Sequence, residues 1–341
     1  MRVGKRIAAA ALAACLLAAS LTGCGAGGGA STGGGEYQSV NLAMAVNGTD
    51  TQIDSLVANY FADLVMERSG GAVVVDVFPN DTLAGGNATK GIEYIAVGGS
   101  DLGAYATSVL ANLEPKMSVA TIPWSFTSYQ QAREVIDTTG GAYYAELLAA
   151  KGITYLGSFH NGFRQLTNSK RPVTKPEDMQ GLKIRVPGSA VYMNTFDALG
   201  ANPTAMSWSE VFTAIQQGTI DGQENGCSIT KSAKMDEIQK YMTIWNYSYE
   251  NDLFLVNTKI WESLDENTQA LIQACATEAC NWGRDKLEAD EAALIQGFRD
   301  VGMQVDELTE EQLAAFQEKV SGVIAELKET YGQEACAAFG L

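Results

Sequence analysis

Histidine is almost absent from this chain, which carries one, His160, in 341 residues. With a single imidazole and no C-x-x-C pair, the ligand sets of common structural and catalytic zinc sites cannot be assembled. The phosphate-cradling pattern G-x-x-x-x-G-K-[ST] is also missing, and the dense glycine runs lie only near the start of the chain. Positive charge is scarce: 23 Lys and Arg stand against 40 Asp and Glu, for a net charge of −17. Such a surface repels nucleic acid and anionic lipid. There is no internal repeat and no coiled coil, and beyond the first residues no apolar run reaches the roughly 20 residues of a membrane-spanning helix.

The first residues read as an address. Arg2, Lys5 and Arg6 precede an apolar run from Ile7 to Leu21, which ends in Leu21-Thr22-Gly23-Cys24. This is the pattern of a bacterial lipoprotein signal over 1–23, cut before Cys24, whose thiol then carries lipid. The stretch 24–37 is Gly-rich and uncharged as far as Glu36, and is expected to be a flexible tether reaching about 20 Å. Removing 23 of 341 residues leaves 318, more than one core usually holds, so two domains are expected. Loss of the three cations takes the net charge from −17 to −20. Any anion bound by so acidic a chain must be caught by local charge, which makes well-placed arginines informative.

Four cysteines remain after processing: Cys227, Cys275, Cys280 and Cys336. Cys275 and Cys280 sit five apart on an expected helix and point about 140° from each other, which disfavours a direct bond. A bond from either to Cys336 and a set of buried free thiols are both open at this point.

Periodicity alternates between helix and strand. Ile53, Leu56, Val57, Tyr60, Phe61, Leu64 and Val65 recur at helical spacing, and the β-branched run from Ala72 to Phe78 reads as a strand. Strands are expected over 41–46, 101–105 and 153–159, with helices over 88–97, 129–136 and 141–150, the pattern of an α/β domain with a largely parallel sheet. Farther on, Leu182–Val186 and Leu253–Val256 read as strands and 190–199 as a helix. Ser207 with Glu210 forms a candidate capping box opening another helix, and Thr309 with Gln312 a second. From Asp265 a helical pattern runs to about Gly297, close to 50 Å at 1.5 Å per residue.

The densest information lies between Gly162 and Asn225. There GFRQLTNSKRPV (162–173), PEDMQGLKIRVPGSA (176–190) and ALGANPTAMSWSEVFTAIQQGTIDGQEN (198–225) follow in order. Arg185 stands in an otherwise apolar strand, where a guanidinium needs an acceptor; a ligand carboxylate or an internal acid would serve. The ordered series resembles the central module of solute-binding proteins of tripartite ATP-independent periplasmic (TRAP) transporters, the dicarboxylate-binding family. The resemblance implies a two-lobed, periplasmic-binding-protein-like α/β architecture with a ligand cleft between the lobes and a long helix spanning both. Lobe I would comprise 38–160 plus about 251–285, and lobe II 161–250 plus about 286–341. It further implies that Arg185 pairs with a ligand carboxylate, that Arg164 adds charge or a hinge contact, and that Asn225, Asn47 and Tyr105 supply polar contacts. Trp208 occupies the place of a phenylalanine that packs on the ligand. Gly226 replaces the proline that follows the asparagine in the family.

The reading is therefore an extracytoplasmic, lipid-anchored binding protein, periplasmic if an outer membrane is present. It would be neither an enzyme nor a carrier of a cofactor or metal, and would deliver a small organic acid to integral permease subunits. A sensory binding protein presenting the ligand to a receptor is the alternative. An enzyme on the same scaffold, using Glu224 or Asp221 as base, is a further one.

Overall fold

The structure, a computed structural model, describes residues 36–341; the expected signal, Cys24 and nearly all of the tether lie outside them. The described residues form one compact unit. The spacing of Ile53, Val57, Phe61, Leu64 and Val65 produces the expected helix, Ile53–Arg68, with that face buried. It packs on β1 (Val40–Val46), β2 (Val73–Phe78) and β3 (Leu102–Ala106). Then come β4 (Ile153–Asn168), β5 (Lys183–Val186), β6 (Asn202–Ala205), β7 (Gly222–Gly226), β8 (Tyr241–Ile244), β9 (Tyr249–Asn257) and β10 (Gln304–Glu307).

The sheet runs in the order β2-β1-β3-β9-β4-β7-β5-β6, with β8 on β4 and β10 on β8. β1 is parallel to β2 and β3, as chain order dictates. β5 is likewise parallel to β6 and β7, and β10 to β8, but the sheet as a whole is mixed, because β9 inserts antiparallel between β3 and β4 and β4 is antiparallel to β7 and β8. β4 carries the chain out of the first half of the sheet and β9 brings it back, so the two necessarily run in opposite directions. The segment around His160 is thus the middle of a 16-residue strand. Its partner changes from β9 to β7 and β8 around Arg164, just after a register shift between His160 and Gly162. Gly162 has φ of +117° there, a conformation that L side chains rarely adopt.

His160 ties this crossing to the long helix Glu266–Asp300. Its Nδ1 lies 2.7 Å from the Tyr249 hydroxyl and its Nε2 3.1 Å from Glu288 Oε1. Burial, with Arg284 and Arg133 nearby, pulls its pKa down to about 2, so it is neutral and structural. The long helix spans about 52 Å. It packs on the helix Ile53–Arg68 and on β4, and farther along on the helix Cys227–Ser232 and β10. Gly283 marks a close approach to the first helix: a Cβ there would sit 2.4 Å from Val57 Cγ2.

Of the two capping boxes, Thr309 and Gln312 form theirs, at 3.3 and 2.9 Å. Ser207 caps no amide with its side chain, so the second does not form, although the helix Trp208–Gln216 begins where expected. Phe212 on that helix is only half-buried. All four described cysteines are free and buried. Cys275 and Cys280 belong to the core beneath the first helix and Cys336 to another core, so neither bond to Cys336 forms.

Candidate ligand-binding site

β5 and β7 are neighbours, and β5 also pairs with β6 in register, Arg185 opposite Thr204. The end of this half of the sheet therefore brings Arg185, Asn225 and, through the helix after β6, Trp208 to one place. Across from them stand Asn47, from the end of β1, and the first turn of the first helix. Two adjoining cavities fill the space between. The outer, of about 210 Å³, is lined by Asn47, Thr89, Asn112, Arg185, Ser207 and Trp208 among others. The inner, of about 30 Å³, is lined by Gln52, Asp54, Asn161, Arg164, Asn225, Glu250 and Asp252, and shares Asn47, Arg185 and Trp208 with the outer.

Arg185 is 4 % exposed. Its Nε and Nη2 donate to Met206 O at 3.0 and 2.8 Å, and its guanidinium lies over the Trp208 ring. No carboxylate among the described residues forms an ion pair with it, and Nη1 has no protein acceptor among them. Burial pulls its pKa down to about 10, which still leaves it charged at neutral pH. A buried cation held by one carbonyl and one aromatic face is a site for an anion.

Arg164 behaves oppositely. Its Nε and Nη2 donate to the two carboxylate oxygens of Glu224 at 2.5 and 2.8 Å, and Nη2 also to Glu224 O at 2.8 Å. Nη1 donates to Glu250 and, at 3.5 Å, to Asn161 Oδ1. Burial alone would lower its pKa, but Glu224 and Glu250 outweigh that and hold it well above the ordinary arginine value. Burial pushes Glu224 toward its neutral form. The fork of N–H donors nevertheless uses both its oxygens as acceptors, with Tyr247 donating a further bond at 2.6 Å, so the ionised pair is the state that fits. Arg164, expected to offer charge or a hinge contact, lines the inner cavity with its charge already met by two internal glutamates. Glu224, an alternative catalytic base from sequence, is the partner in this pair.

Asn225 accepts from the Gly226 amide at 3.1 Å and lines the inner cavity with its amide group. Gly226 has φ of −61°, which proline could adopt, but an added Cβ would lie 2.6 Å from Asn161 O. Asn47 donates to Asp81 at 2.6 Å, and Asp81 accepts from Tyr105 at 2.7 Å. Tyr105 lines neither cavity; it orients Asp81, which orients Asn47. Sequence reasoning passed over Gln52, Asp54, Asn161, Glu250 and Asp252. Gln52 and Asp54 stand at the start of the first helix, and Glu250, Asn251 and Asp252 lie just before the apolar run Leu253–Val256 of β9. All three of the latter are buried strand residues.

A larger cavity, of about 440 Å³, lies elsewhere, between the helix Gly141–Ala149 and the long helix. Its arginine, Arg284, is held by both oxygens of Asp137 at 2.7 and 2.8 Å and by Ser158 at 3.0 Å, so it offers no comparable unpaired cation.

Residues 43–330 match the model of the bacterial extracellular solute-binding protein family 7. The chain is 31% identical over 290 residues to the 2,3-diketo-L-gulonate-binding periplasmic protein of Escherichia coli, covering 85% of this chain and 87% of that one. It is 31% identical over 280 residues to the C4-dicarboxylate-binding periplasmic protein of Rhodobacter capsulatus, covering 82% and 83%. Among solved structures, the sugar acid binding protein of Advenella mimigardefordensis in complex with galactonate superposes with a TM-score of 0.85 at 28% identity, covering 89% of this chain and 97% of that one.

Proposed function

The chain belongs to family 7 of the bacterial extracellular solute-binding proteins, and we propose that it captures a small organic acid through Arg185 and delivers it to the integral permease subunits of a TRAP-type transporter. One observation carries this reading: Arg185 is buried, charged and without an ion-pair partner among the described residues, and it lines both cavities. Asn225 and Asn47 supply polar contacts, and Trp208 packs on the apolar part of the ligand. Arg164 stiffens the inner wall, and Tyr105 acts from behind through Asp81. No bond is made or broken in the ligand. Lipid on Cys24 holds the protein at the membrane, and the lobes, 38–160 with about 251–285 and 161–250 with about 286–341, close on the ligand.

A thermal-shift screen of organic acids tests the reading, since a ligand at 100 times its Kd adds about 2.7 kcal/mol to stability. Stabilisation by at least one acid, lost in a folded Arg185→Ala variant, is the expected result. Equal binding by that variant, or no response to any organic acid, overturns it.

A further inference from the structure

We infer that the outer cavity is fastened at its rim by a two-point clasp, Ser209 on Gly86 and Gly188 against Asn112, which sets how long a captured acid stays bound. The inference rests on the acid capture proposed above and concerns release, not recognition.

The outer cavity lies between two walls. Ala88, Thr89 and Asn112 line one, and Arg185, Gly188 and Trp208 line the other. The first three follow β2 and β3 in the chain, while Arg185 lies in β5 and the other two follow β5 and β6, so the walls belong to opposite halves of the sheet.

At one point of the rim Ser209, next to Trp208, donates its hydroxyl to Gly86 O at 2.9 Å. Gly86 stands two residues before Ala88, and Gly85 and Gly86 have φ of +68° and +83°. The chain turns there through a conformation that side chains rarely adopt, so glycine presents this carbonyl to the other wall at little cost.

At the second point Asn112 Nδ2 donates to Val109 O at 2.9 Å, which fixes its amide beside Gly188. An added Cβ at Gly188 would lie 2.7 Å from Asn112 Oδ1. Gly188 does not have a positive φ, so what the approach requires is the missing side chain and not an unusual backbone. The chain around Gly188 is stiff, because Pro187 precedes it and the Ser189 hydroxyl accepts from the Val191 amide at 3.2 Å to open the next helix.

Neither contact is strong. The Ser209 bond is open to water, where a neutral hydrogen bond contributes little net, and the Gly188 contact is one of packing. Contacts of this strength hold the walls together and still let them part, as a protein that hands on its cargo requires. Arg185 and Trp208 belong to one wall whether or not the clasp is formed. The clasp therefore acts on the rate of release and leaves the first grip to Arg185.

Galactonate, erythronate and succinate, three acids of different chemistry, are first titrated by calorimetry against the whole extracytoplasmic chain. For the tightest binder, stopped-flow fluorescence then follows release, with Trp208 at the cavity as reporter. Ser209→Ala should raise the dissociation rate about two- to tenfold, the worth of one neutral hydrogen bond, and leave the association rate within about twofold. Gly188→Ala should act in the same direction. A cross-link closes the clasp for good: an added Cβ at Gly188 lies 3.2 Å from Asn112 Cγ, so Asn112→Cys with Gly188→Cys suits a disulfide, whose Cβ atoms stand about 3.8 Å apart. The four described native cysteines are buried, which leaves the new pair to react with each other. Oxidised after loading, this variant should retain the acid through gel filtration and let it go on reduction. Release from Ser209→Ala at the wild-type rate, or free exchange through the oxidised cross-link, would overturn the clasp and leave acid capture standing. Binding of none of the three acids would remove both readings.

Discussion

The guanidinium of Arg185 lies over the ring of Trp208, with its central carbon 5.2 Å from the ring centroid. The ring gives the cation a partner that a carboxylate ligand need not displace, since a ring face and an in-plane oxygen pair approach a guanidinium from different directions. That contact and Met206 O are a meagre substitute for water.

Arg185→Met should therefore separate stability from function. Removing a desolvated, unpaired charge leaves the free protein as stable as wild type or more so. Ligand-induced stabilisation should vanish. Arg185→Lys keeps the charge without the planar fork and should weaken acid binding by about ten to a hundredfold, read by calorimetry with circular dichroism to confirm folding.

Arg164 should show the reverse pattern. Lysine cannot bond both oxygens of Glu224 and reach Glu250 together, so Arg164→Lys should destabilise the fold. Arg164→Ala, which leaves two buried glutamates without their cation, should cost about 3 to 5 kcal/mol in denaturant unfolding. A mild stability effect with a large loss of affinity would instead return Arg164 to the role of ligand contact.

The acidic wall predicts a pH dependence. Burial raises Asp54 from 3.8 to about 7, Asp81 to about 6 and Asp252 well above its ordinary value. Between pH 4 and 7 the folded protein holds a proton on Asp54 that the unfolded chain has released, so this contribution is present below about pH 4 and lost as pH rises through 7. Asp54→Asn removes it. Relative to wild type, the melting temperature of that variant should climb from pH 4 to 7; a constant offset would show that Asp54 titrates normally.

Gly283→Ala tests the brace between the long helix and the first. An exposed helical glycine gains up to about 1 kcal/mol on becoming alanine. Here the new methyl would meet Val57 Cγ2 at 2.4 Å, and overpacking should reverse the sign, with a loss of about 1 to 3 kcal/mol.

Cys24→Ala should release the protein from membranes without changing ligand affinity. Fractionation in carbonate checks the first half and calorimetry the second.

Residue patterns made the elements with strong periodicity legible, along with the long helix and the Thr309 cap. The resemblance carried by 162–225 pointed to Arg185, Asn225 and Trp208, which the fold brings together. β6, β8 and β10 escaped because four residues give too little alternation, and Pro203 in edge strand β6 reads as a loop. The insertion of β9 was hidden because a pairing across some hundred residues leaves no local trace. The internal partners of Arg164 were hidden for the same reason. An arginine in a strand announces a need for acid, and only the register of β4 against β7 and β9 shows that Glu224 and Glu250 meet it.

β4 crosses the sheet without a loop, hydrogen-bonded to β9 on the way, and this governs the kinematics of the cavity. A ribbon of paired strands yields to twist and resists stretching or sliding. Under the lobe closure proposed above, widening of the entrance would be a rotation about the ribbon near Gly162, during which Arg185, Asn225 and Trp208 would travel together while their distances to Asn47, Asp54 and Asp252 change. On that proposal the anion clamp would keep its shape throughout, and an arriving acid would be gripped by its carboxylate first and have its other end inspected only as the rotation completes.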